Sequence, residues 1–181
     1  PNVLLLDRAE FSFDGGEFEP SEELLRIDTL LRRKLGWTPW GGSSNQPWCI
    51  PAEPTEHTVK LRFTIESRIP VRDAHLALEA AEDTAITLNG VRVPSVIDGY
   101  FTDRSIKTVA LPPIPAGISV LELEAPFGKR TAIEWCYLTG SFDVRLAGAH
   151  AVIEALPETL GFETITTQGL PFYSGCVSYF I

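Results

Sequence analysis

Methionine is absent from the chain, cysteine occurs three times in 181 residues, and no apolar run approaches the ~20 residues of a membrane-spanning helix. No membrane partner is therefore expected. A chain without methionine that opens on Pro1 reads as a processed or excised piece. Cys49, Cys136 and Cys176 are odd in number and far apart, so they match no metal-ligand spacing and cannot form a complete disulfide framework. They read as three buried or half-buried thiols, which leans towards a reducing, cytoplasmic compartment; one bridge with a spare thiol is the alternative. Positive charge is scarce as well. Lys plus Arg number 15 against 24 Asp plus Glu, and a net charge of −9 repels a phosphate backbone, so no nucleic-acid partner is expected. No nucleophile elbow, phosphate-binding glycine loop, HExxH, zinc pairing or dinucleotide fingerprint occurs. The expectation is a module without chemistry or a cofactor of its own.

What the sequence does contain is alternation. Val59, Leu61, Phe63 and Ile65 alternate with charged and polar residues, and Ala74, Leu76 and Leu78 alternate with His75, Ala77 and Glu79. Ile86 and Leu88 lead into Asn89-Gly90, with Val91 and Val93 beyond, the pattern of a hairpin closed by a type I′ turn. Pro115-Ala116-Gly117 opens a further strand in which Ile118, Val120, Leu121 and Leu123 are the apolar residues and Glu122 and Glu124 face the other way. Val3–Leu6 and the Phe11/Phe13 stretch fit an opening strand pair, and two more strands fit Ile133–Leu138 and Gly140–Leu146. Ser21 after Pro20 reads as the N-cap of the one convincing helix, 21–35, with Arg32, Arg33 and Lys34 complementing its dipole before Gly36. The fold class is mainly β: an antiparallel β-sandwich with one N-terminal amphipathic helix, in one domain of 1–181. Its parts are the strand, helix and tryptophan-rich loop of 1–57, the core of 58–146 and a closing or linking segment, 147–181.

The asparagine-glycine hairpin, the loop with Tyr100, Phe101 and Asp103, and the run from Ser105 through Leu123 resemble the galactose-binding-domain-like jelly roll appended to large glycoside hydrolases. The module is similar to accessory sandwiches of family 2 and α-L-rhamnosidase-like enzymes. The similarity extends from Thr58 to Arg145, and Tyr137 to Val144 resembles the run that closes such modules. Gly117-Ile118 departs from the usual Gly-Asn of the last turn. The resemblance implies a sugar-binding sandwich with carbohydrate and the neighbouring domains of a larger chain as partners.

The residues themselves offer a candidate site. Trp37, Trp40 and Trp48 fall within the Gly-, Pro- and Ser-rich stretch 36–54, beside Asn45 and Gln46. An indole stacks on the C–H face of a pyranose while amides and a carboxylate such as Asp103 orient its hydroxyls. The same tryptophans would also suit a small core that pins a long loop to the sheets. Glu79, Glu82, Asp83, Asp98 and Asp103 surround the central hairpin. A small glycosidase would need two of them facing each other; turn caps, or a structural Ca²⁺ held by Asp98 and Asp103, are the other uses. His75 reads as an outward strand position without a paired carboxylate. Near the end, Gln168, Phe172 and Tyr173 either face a sugar or plug the seam between sheets, and Val177, Tyr179 and Ile181 alternate as a last strand would.

Overall fold

A computed structural model of the chain describes residues 1–41 and 46–179. The chain opens with β1 (Asn2–Leu6), β2 (Arg8–Phe13) and β3 (Glu19–Glu23), followed by α1 (Leu24–Lys34). Beyond the tryptophan-rich loop come β4 (His57–Ser67), β5 (His75–Leu78), β6 (Ala85–Leu88), β7 (Val91–Val93), β8 (Ile97–Phe101), β9 (Asp103–Ala110) and β10 (Gly117–Phe127). Then follow β11 (Cys136–Gly140), β12 (Asp143–Ala147) and β13 (His150–Glu154). One sheet runs β1-β11-β5-β9-β8; the other runs β12-β13-β4-β10-β6-β7, with β2 alongside β4 and β3 outside β2. Neighbours are antiparallel except for a short parallel pairing of β13 with the end of β4. The two sheets pack face to face as a β-sandwich.

The alternation dictates the packing. Val59, Leu61, Phe63 and Ile65 of β4 and Leu121 and Leu123 of β10 are buried against Leu76, Leu78, Val109 and Leu138 from the other sheet. On the outer face of the same strands, Lys60 pairs with Glu124 at 3.3 Å and Arg62 with Glu122 at 2.8 Å, cross-strand partners in register. Asn89 and Gly90 have φ of 50° and 78°, and Leu88 opposes Val91, so the predicted two-residue turn forms.

Several expectations need correction. β1 and β2 do not pair; β1 joins β11 and β2 joins β4, so consecutive strands feed opposite sheets. The helix begins at Leu24 and not at Ser21, because Glu19–Glu23 is hydrogen-bonded to β2 as a strand. Glu23 caps it, its carboxylate accepting from the N–H groups of Leu25 and Arg26. Arg32 does more than complement the dipole. It is buried, ion-paired to Asp28 at 2.7 Å, and donates to the carbonyls of Lys129 and Thr131. Of the three thiols only Cys136 is buried; Cys49 and Cys176 are exposed, and none is bridged. His75 does have a carboxylate, Asp98, 3.1 Å away. Asp98 itself lies within β8 and accepts from Thr108 rather than capping a turn. The expected last strand is absent in its described part, since Val177 and Tyr179 lie in irregular chain; Ile181 is outside the described residues.

Candidate functional site

The helix end sets the first feature. Gly36, at φ 70°, lets its N–H reach Arg33 O at 3.1 Å while Trp37 N–H reaches Arg32 O at 2.8 Å, a Schellman turn that aims Trp37 back at the sandwich. The indole stacks on Phe127, centroids 5.8 Å apart and planes at 21°, and sits 5.9 Å from the His57 ring. It forms part of the wall of a groove of about 400 Å³ that also receives Glu53, Glu56, His57, Lys129 and Arg130. Lys129 Nζ lies 2.9 Å from Glu53. His57 Nδ1 lies 2.8 Å from Asp14 Oδ2. Burial alone would raise the Asp14 carboxyl, yet the Thr58 N–H, His57 and Lys34 together hold it below the usual range.

The other sequence-predicted residues separate from this groove. Trp40 lies under the Arg32 guanidinium, 4.3 Å from ring centre to Cζ, and its Nε1 is buried without a partner among the described residues. Trp48 is 73% exposed on the short 3₁₀ turn Pro47–Cys49, which Arg130 Nε ties down through Pro47 O at 3.1 Å. Gln46 is exposed at the start of that turn, and its carbonyl accepts from Cys49 N–H. Asn45 lies outside the described residues. Asp103 does not reach the groove: its Oδ1 accepts from Ser105 N–H and Oγ, closing its own turn. Gln168 spends its amide on the backbone of Gly161 and Glu163, Phe172 packs on the core, and the Tyr173 hydroxyl donates to Cys176 O.

A second cavity, about 380 Å³, opens between the two sheets at the same end of the sandwich. Val59, Leu61, Leu78, Leu123, Ile133 and Cys136 supply an apolar wall; Glu79, Glu134 and Arg130 are its charged groups. Desolvation, then Glu79, Asp28 and Glu23, raise the Glu134 carboxyl above the ordinary range. Desolvation, with Glu134 and Glu79, pushes the Cys136 thiol up to about 12. The sequence pattern missed Glu134 and Arg130. Ile133–Leu138 read as one strand, whereas β11 begins at Cys136 and leaves Glu134 in the irregular approach to it. Trp135, beside it, donates from Nε1 to the capping Glu23 at 2.7 Å.

Among the described residues no three His, Cys, Asp or Glu side chains gather as a metal ion would require, and no helix is long and apolar enough to cross a membrane. Searches of protein families, curated proteins and solved structures find no match to the chain.

Proposed function

We propose that this domain is a non-catalytic carbohydrate-binding module, a sandwich of the galactose-binding-domain-like, jelly-roll kind that serves as an accessory to a glycoside-hydrolase-like protein. The observation that carries this reading is the groove in which one indole, an imidazole, two carboxylates and two cationic side chains converge on about 400 Å³. A pyranose offers an apolar C–H face and a rim of hydroxyls, and an aromatic wall beside both donors and acceptors matches both at once. Trp48, exposed on the adjoining turn, adds a second stacking surface for a longer glycan.

Calorimetric titration against monosaccharides and plant and bacterial oligosaccharides tests it. Saturable binding is expected, weakened at least tenfold in Lys129→Ala and His57→Ala, with Trp48→Ala losing affinity for oligosaccharides more than for monosaccharides. A flat response of the native domain across the panel removes the proposal.

A second reading, a structural sandwich that packs on a neighbouring domain, draws on one observation of its own. Phe162 and Tyr179 stack at 4.9 Å while remaining 79% and 41% exposed, and Leu156 and Val177 are exposed in the same C-terminal segment. It predicts no sugar affinity.

A further inference from the structure

The inter-sheet cavity has a different chemistry from the groove beside it. Its walls are mostly aliphatic, with Phe127 and only Thr84 and Thr131 as neutral polar side chains, a poor lining for a polyhydroxylated ring. Its charged groups are two carboxylates and one guanidinium, and the guanidinium Nε is already committed to Pro47 O. Glu79 and Glu134 are both exposed at the rim, and neither carboxylate has an ion-pair or hydrogen-bond partner among the described residues. Asp28 and Glu23 add to the negative potential at Glu134. A cavity of this size with an apolar body and unpartnered acids of one sign selects a ligand by shape and charge together.

We infer that the cleft between the sheets binds an alkyl- or arylalkylammonium group, its hydrocarbon against Leu61, Leu78 and Leu123 and its ammonium between Glu79 and Glu134. A hydrocarbon chain recovers the hydrophobic free energy of leaving water, and an ammonium gives both carboxylates charge-assisted hydrogen bonds in place of those to water. A neutral alcohol of the same length keeps the first contribution and loses the second. A carboxylate is repelled. The same chemistry is borne by a free amine and by a lysine side chain of a partner protein, whose four-carbon stem ends in ammonium.

This inference goes beyond the carbohydrate reading and does not depend on it, and the test keeps the two apart. The native domain is titrated with n-hexylammonium, n-hexanol, hexanoate and Nα-acetyl-lysine methylamide, followed by amide chemical shifts. Hexylammonium is expected to bind at least about tenfold more tightly than hexanol and hexanoate, with shifts centred on Val59, Leu61 and Cys136. Glu134→Gln and Glu79→Gln, both at the cleft mouth, should each abolish most of that preference while leaving hexanol binding and sugar titrations unchanged. Comparable binding of the lysine derivative assigns the natural source to a partner's side chain; hexylammonium binding alone assigns it to a free amine. Equal affinity for hexanol and hexylammonium, shifts elsewhere, or no saturable binding of hexylammonium overturns the inference.

Discussion

The guanidinium of Arg32 lies 4.3 Å from the centre of the Trp40 ring, on the side chain that also holds Asp28 at 2.7 Å. Helix, tryptophan-rich loop and the 129–131 turn are therefore joined through one buried cation, whose partner Asp28 additionally accepts from Ile133 N–H. Desolvation raises the Asp28 carboxyl against the pull of Arg32 and that N–H. Removing only the cation strands a buried carboxylate. Arg32→Leu should cost about 3–5 kcal/mol, and Asp28→Leu with Arg32→Leu should cost less than Arg32→Leu alone. Urea unfolding of the three proteins checks this; a double variant as unstable as the single one would refute it.

Asp73 ties the approach to β5 to the end of β11. Its carboxylate accepts from Ser141 Oγ at 2.5 Å and from Ser141 N–H, which hold its pKa below the usual value. Between its folded and unfolded values the unfolded chain binds more protons. The stabilisation by Asp73 is thus present above the unfolded pKa near 3.9 and lost as pH falls through the lower folded value. The urea midpoint of the native domain should exceed that of Asp73→Asn at pH 7, with the gap closing below pH ~4. A gap that widens on acidification contradicts the assignment.

The thiols should divide two to one. Cys49 and Cys176 are exposed, while Cys136 is buried with its thiol pushed up to about 12. Ellman's reagent at pH 8 should titrate two thiols in the folded domain and the third only after unfolding, since the thiolate is the reactive form. Three fast thiols in the folded protein would disprove this.

Among the three loop tryptophans, stability and exposure should move in opposite directions. Trp48→Ala should change unfolding free energy by no more than ~0.5 kcal/mol, as expected of an exposed side chain. Trp37→Ala should cost about 2 kcal/mol or more, because it removes the stack on Phe127. Thermal unfolding compares the two, and iodide quenching of the native fluorescence should fall most in Trp48→Ala.

The sequence was most legible where a local pattern and the tertiary pairing agree. β4, β6, β7 and β10 follow from strict alternation and the Asn89-Gly90 turn; of the helix face that three- and four-residue spacing marks, Leu24, Ile27 and Leu31 are buried and Leu35 half-buried, while Leu30 beside them is exposed. β3 was hidden because Glu19–Glu23, Glu-Pro-Ser-Glu-Glu, has no apolar alternation; only pairing with β2 makes it a strand. β13 was hidden because the Gly148 turn and the short run Ala151–Ile153 carry little alternation of their own. At the candidate site, the concentration of tryptophans was visible, but which ring faces would be covered was not. Arg32 is the reason for one of them, Phe127 for another, and both come from outside the loop. Glu134 and Arg130 gain their interest only from the cleft around them, which depends on how two sheets meet.

β1 is held by β11, with Leu4 opposite Leu138, and β4 pairs both with β2 near its start and with β13 at its end. The smaller sheet therefore cannot acquire its first strand until nearly the whole core has been synthesised. Closing that loop costs chain entropy before any contact repays it, and such long-range pairing makes for slow folding. Val3–Leu6 therefore has no β11 to pair with until most of the chain has been made. The consequence is kinetic: the early chain is exposed to aggregation and to chaperone capture for as long as β11 is missing.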